Sequence, residues 1–121
     1  MYNKNKEVKM FKILVVEDDK NLGKLIVTCL EKASYTVFET HNGEEALDLM
    51  DKEYVNLIVT DIMMPEMSGD ELCSAIKGDL EMSHIPVVLL TALGDEKNML
   101  EGLEIGADAY ITKPFSVGIL K

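Results

Sequence analysis

The feature that most restricts this 121-residue chain is a regular alternation of two hydrophobic periods. Short, nearly continuous apolar runs take turns with longer stretches whose apolar residues recur every three or four positions. "FKILVV" (11–16), "YTVFET" (35–40), "VNLIVT" (55–60), "IPVVLLT" (85–91) and "ADAYIT" (107–112) read as strands. Between the first two, Leu22, Leu25, Ile26, Cys29, Leu30 and Ala33 fall on one face of a helix over 21–33. "NGEEALDLMDKE" (42–53) predicts a helix with acidic residues in its first turn, where the helix dipole favours them. "SGDELCSAIKGDL" (68–80) and "DEKNMLEGLEIG" (95–106) predict two more, with Gly106 as the C-terminal stop of the latter. "SVGILK" (116–121) opens a fifth helix that is cut short.

A strand–helix unit repeated five times predicts an α/β fold, a doubly wound five-stranded parallel sheet with helices on both faces. "ILVV", "LIV" and "VVLL" suit strands buried on both sides, so the first, third and fourth strands are central. The second and fifth carry polar interruptions, as edge strands do. The expected order is therefore 2-1-3-4-5, flavodoxin-like, with a truncated last helix. Residues 1–10, "MYNKNKEVKM", read as a leader or linker remnant, leaving 11–121 as one domain. The short last helix carries the expectation that the parent chain continues past Lys121.

Charge and composition exclude some functions. A formal net charge of −10 argues against a surface that contacts nucleic-acid phosphates directly. No apolar stretch is long enough to span a bilayer, and the first residues lack the apolar run of a signal peptide. The expectation is a cytoplasmic domain without direct membrane contact. Cys29 and Cys73 lie in helical patterns beside apolar residues and read as buried, reduced thiols.

Ligands of such sheets bind outside the C-terminal ends of the strands, at the switch point between the first and third. Glu17, Asp18 and Asp19 follow the first strand, Asp61 the third, Thr91 the fourth and Lys113 the fifth. In the expected order Glu17, Asp18 and Asp61 lie within several ångströms of one another. Grouped carboxylates call for a hard cation with oxygen ligands, and Mg2+ is the natural one. A carboxylate can also attack a phosphoryl group, with the transferred charge shared by a metal, an ammonium and a hydroxyl. Asp61, Lys113 and Thr91 suit those roles.

The pieces "ILVVEDD", "LIVTDIMMPEMSGDEL", "IPVVLLTA" and "GADAYITKPF" together resemble the receiver domain of two-component response regulators, over residues 11 to 121. The resemblance implies Asp61 as phosphoacceptor, Asp18 as a direct Mg2+ ligand, Glu17 as an acid acting through water, and the Met63 carbonyl as a further ligand. It implies Thr91 as the hydroxyl that turns toward the phosphoryl group, Lys113 as its cationic partner, and Tyr110 as the aromatic that swings inward on activation. Met63 and Leu93, two residues beyond Asp61 and Thr91, stand where the family controls access of water to the acyl phosphate; both are apolar, which implies slow self-dephosphorylation.

The implied partner is the phosphodonor domain of a histidine kinase. The implied output is a changed surface on the fourth helix, fifth strand and fifth helix, which also allows a homodimer. The domain itself would be a regulatory phosphoacceptor rather than an enzyme. The segment from Ser83 to Lys121 is most similar to receivers embedded in hybrid sensor histidine kinases, where the donor can belong to the same chain and the domain to the cytoplasmic part of a membrane protein. A stand-alone or transcription-factor receiver is the alternative.

Two remoter readings are a receiver fold that binds partners without phosphorylation, and a Mg2+-dependent phosphohydrolase. For the second, Glu17 and Asp19 have the spacing but put Glu in the nucleophile's place. Asp19 otherwise reads as a loop or helix-cap residue. His41 and His84 read as loop or strand-end packing, and Pro65 and Gly69 as turn residues before the third helix.

Overall fold

In β1 (Lys12–Val16) the two-residue period sends Ile13 and Val15 to one side of the sheet and Leu14 and Val16 to the other, and all four are buried. A strand apolar on both faces needs cover on both faces, and this chain supplies it. The computed structural model describes residues 11–62, 64, 67–92 and 106–113, with Asp70, Thr91, Ala92, Tyr110, Thr112 and Lys113 described in their backbone only. The other strands are β2 (Thr36–Thr40), β3 (Leu57–Asp61), β4 (Val87–Ala92) and β5 (Ala109–Lys113). They form one parallel sheet in the order β2-β1-β3-β4-β5, as the apolar pattern predicts.

The helices take opposite sides. From α1 (Lys20–Lys32), Ile26 and Leu30 pack on Ile13, Val15, Val59 and Leu90. From α2 (Gly43–Lys52) and α3 (Gly69–Lys77), Ala46, Leu72, Cys73 and Ile76 cover Leu14, Val16, Ile58 and Leu89 on the other face. Each fully buried aliphatic side chain contributes about 1.5–3 kcal/mol relative to exposure. β2 is buried fully only at Thr40, in keeping with its edge position. Both cysteines are buried, and neither is in a disulfide. Among the described residues no helix is long and apolar enough to cross a membrane.

Local chemistry sets the boundaries. Asp19, Asn42 and Ser68 are the N-caps, each accepting a backbone N–H from the first turn; Ser68 and Glu71 form a capping box. Gly69, expected in a turn, is instead the first residue of α3. That helix was expected to reach position 80 but ends at Lys77. There the Asp79 carboxylate accepts the N–H groups of Glu81 and Met82 and turns the chain away. β4 starts at Val87 rather than at position 85, because Pro86 has no N–H to give to the ladder. Gly106 has φ +119°, a left-handed conformation suited to a helix stop. The predicted helices over 95–106, but for Gly106, and over 116–121 lie outside the described residues.

The edge of the sheet where the strands begin is fastened by one ammonium. Lys77 Nζ donates to Ser83 O (3.3 Å), Ile85 O (2.9 Å) and Asp108 Oδ2 (2.9 Å), matching its three protons with three acceptors. Asp108 Oδ2 also accepts Val87 N at 2.8 Å, so the end of α3 is tied to the starts of β4 and β5. Burial alone would raise the Asp108 pKa, but the Lys77 ammonium and the Val87 N–H outweigh it and hold it below its ordinary value of 3.8. A lowered carboxyl stabilises the fold above its unfolded pKa and stops doing so as pH falls through the folded one. Asp108→Asn is therefore expected to lower stability at pH 7 by about 0.5–1 kcal/mol, a value discounted for a half-exposed carboxylate. The gap between variant and wild type should close as the pH is taken below 3.8, read from urea midpoints across a pH series.

Candidate functional site

The site begins with a register. β1 and β3 pair Ile13 with Leu57, Val15 with Val59 and Val16 with Thr60, so the next residues, Glu17 and Asp61, come side by side. Neighbouring strands are about 4.8 Å apart, which brings their side chains within reach of each other. Both residues follow the alternation of Ile13 and Val15, and so face α1.

Glu17 is 1% exposed and Asp61 6%, while Asp18 is open to solvent. One carboxylate oxygen from each of the three lies within 4.8 Å of the others. The structure thus brings together the three acids that the sequence singles out.

Hydrogen bonds hold this arrangement. Glu17 N donates to Thr40 O at 3.1 Å, and Asp19 N donates to Glu17 Oε2 at 3.1 Å. Asp19 Oδ1 accepts Asn21 N (3.0 Å) and Leu22 N (3.2 Å), so the fourth acid is a helix cap, as one reading of the sequence has it. Two glycines permit close approach. A Cβ on Gly23 of α1 would stand 3.7 Å from Glu17 Cβ and 3.3 Å from Glu39 Oε2. A Cβ on Gly69 would overlap the Asp61 carbonyl, while Gly69 N donates to Ile62 O at 2.7 Å. The first residue of α3 lies directly on the backbone that carries Asp61, and only glycine fits there.

The remaining predicted residues are placed by their backbone. Asp61 is level with Leu90, Thr91 pairs with Thr112 and Ala92 with Lys113, so positions 91 and 113 share the edge of the acids, one and two strands away. Tyr110 is level with Leu89. The side chains of Thr91, Tyr110 and Lys113, and the whole of Met63 and Leu93, lie outside the described residues.

His41, read as loop or strand-end packing, sits directly after β2 and reaches the backbone of the site. Its Nδ1 is 3.0 Å from Glu17 O, and its Nε2 is 3.6 Å from Glu39 Oε2. The available signal was its place just past β2, beside β1 and at the same edge. His84 is remote, its ring stacked on Tyr54 with centroids 6.2 Å apart, between the starts of β3 and β4. A cavity of about 220 Å³ lined by Met50, Tyr54, Met82 and Ile85 also lies at that opposite edge.

Carboxylates this close repel by about 3 kcal/mol per pair at an effective dielectric constant near 20. The donor set is all oxygen, two members are fixed by burial, and the exposed third leaves room for water or phosphoryl oxygens. It fits Mg2+, which takes a few carboxylates and keeps several waters.

Comparison with known proteins agrees. The family model for the response regulator receiver domain matches residues 13–121. Histidine kinase P4 of Formosa agariphila is 50% identical over 105 residues, which cover 87% of this chain and 8% of that protein. The probable transcriptional regulator ycf27 of Porphyra purpurea is 44% identical over 105 residues, covering 87% of this chain and 42% of that one. The chain thus spans less than half the length of these curated relatives. The signal receiver domain of a signal transduction histidine kinase from Syntrophus aciditrophicus superposes with a TM-score of 0.83 at 38% identity, over 90% of this chain and 83% of that one.

The repulsion has a measurable consequence. Without divalent metal, Asp18→Asn is expected to stabilise the fold by on the order of 1 kcal/mol after solvent screening, a rise in Tm of about 3–6 °C. The same variant should lose the further rise that Mg2+ gives the wild type. Thermal unfolding with EDTA and with Mg2+ checks both.

Proposed function

This chain belongs to the response regulator receiver family, and on that premise we propose that it is a phosphorylation switch that takes a phosphoryl group on Asp61 from a histidine kinase. The observation that carries the reading is the convergence of Glu17, Asp18 and Asp61 at the C-terminal edge of β1 and β3. Glu17, Asp18 and Asp61, with the Met63 carbonyl, would hold Mg2+, which would neutralise the carboxylates and share charge on the phosphoryl oxygens.

An Asp61 carboxylate oxygen attacks phosphorus in line. The new P–O bond forms as the P–N bond of the phosphohistidine breaks, and the imidazole leaves with a proton from solvent. The Thr91 hydroxyl and the Lys113 ammonium then draw the added charge toward β4 and β5. The shift of Thr91, with Tyr110 moving inward, alters the surface of the fourth helix, β5 and the fifth helix. That surface can act only through its different affinity for partners in the two states, and a homodimer is one such partner.

We place the domain within a hybrid sensor histidine kinase, at the cytoplasmic side, with the donor in the same chain or its dimer mate. The 50% identity to Histidine kinase P4 supports this placement. The similarity to ycf27 regulators supports the second reading, a receiver joined to a transcription factor. In either parent, the charge of −10 suits a domain that does not itself touch nucleic acid.

Incubation with Mg2+ and acetyl phosphate should add the mass of one phosphoryl group to the wild type and none to Asp61→Asn. No gain in the wild type from acetyl phosphate or from a phosphorylated kinase domain would leave a receiver fold that works without phosphorylation. Met63→Asn or Leu93→Glu should shorten the lifetime of the acyl phosphate by letting water in. Decay of the phosphorylated mass with time measures it, and unchanged lifetimes would refute the role of these apolar positions.

A further inference from the structure

We propose that His41 is a positioning residue for the metal-binding acids, holding the Glu17 carbonyl so that the next residue, Asp18, is aimed at the cation. The proposal rests on the reading of Glu17, Asp18 and Asp61 as the Mg2+ site. Glu17 and Asp61 are buried and held by their surroundings, whereas Asp18 is exposed. Asp18 keeps a carboxylate oxygen within 4.8 Å of oxygens of the other two acids, against their repulsion. Its direction therefore depends on its backbone, and first on the peptide group that joins it to Glu17.

That peptide group has one described side-chain clamp. His41 Nδ1 lies 3.0 Å from Glu17 O, and because a carbonyl only accepts, the proton is on Nδ1. The imidazole is itself held. His41 N donates to Glu45 Oε1 at 2.9 Å, while Glu45 N donates to Asn42 Oδ1 at 2.8 Å, so the cap of α2 fixes the backbone that presents the ring. On its other side the ring faces Glu39 Oε2, a buried oxygen with no hydrogen-bond partner among the described residues, at 3.6 Å from Nε2. Glu17 N is already bonded to Thr40 O, the residue before His41. The end of β2 thus grips Glu17 from both its N–H and its C=O. A metal ligand oriented by a neighbour through a hydrogen bond binds with less reorganisation, and loss of such a neighbour weakens metal binding.

A purely structural role, tying the loop after β2 to β1, would show in stability and not in metal affinity. The test uses the full chain with His41→Phe, His41→Asn and His41→Gln. Each is titrated with Mg2+ alone by calorimetry or by amide chemical shifts, and metal-free Tm is recorded beside it. An Asn amide nitrogen falls near the place of Nδ1, whereas that of Gln falls near Nε2.

His41→Phe is expected to raise the Mg2+ dissociation constant about three- to tenfold, and His41→Gln to do the same. His41→Asn should restore it to within about twofold of wild type, whatever the order of the Tm values. Equal affinities for wild type and Phe, or for Asn and Gln, would overturn the proposal; the second comparison stands even if the Phe variant does not fold. Absence of Mg2+ binding by the wild type, or binding unaffected by Asp18→Asn, would instead overturn the metal reading and this proposal with it.

Discussion

The parallel pairing of β1 with β3 is the constraint on which the site depends. Their register carries Val16 and Thr60 to the same level, and one step further it delivers Glu17 beside Asp61. A slip of one residue would turn every side chain of β1 to the other face and separate the two acids. The core prevents that slip. Ile13 and Val15 must meet α1 while Leu14 and Val16 must meet α2 and α3, so the apolar alternation that stabilises the sheet also aligns the carboxylates.

Burying two acids next to a third works against folding, and the surroundings show how the cost is managed. Glu17 accepts a backbone N–H from Asp19, which keeps its charge solvated by protein. Gly69 lets α3 close on the Asp61 backbone where a Cβ would overlap it, and Gly23 brings α1 close to Glu17 and Glu39. A divalent cation held there would offset the repulsion among the three carboxylates.

The two edges of the sheet differ in character. At the edge where the strands begin, Lys77 meets three acceptors and Asp108 meets two donors, so the charges there are neutralised within the protein. At the other edge three like charges gather with space for a cation. A firmly tied base thus stands opposite a rim where three carboxylates gather.

Hydrophobic period and punctuation determined the strand order, the central and edge strands, and the edge at which Glu17, Asp18 and Asp61 collect, because these follow from which residues must leave water. The family motifs added the roles assigned to Thr91, Lys113 and Tyr110, whose backbone lies at the expected levels of β4 and β5. Element ends were legible to within two or three residues, failing where a single local bond decided, as at Asp79 and Pro86. Only the tertiary structure revealed that Gly69 is needed for contact with the Asp61 backbone and that His41 holds Glu17. Gly69 has no signature along the chain for that contact, and His41 has only its place just past β2. Each depends on atoms that folding brings within hydrogen-bond or van der Waals distance from separate elements, and the sequence specifies those meetings only through the register and packing of the whole sheet.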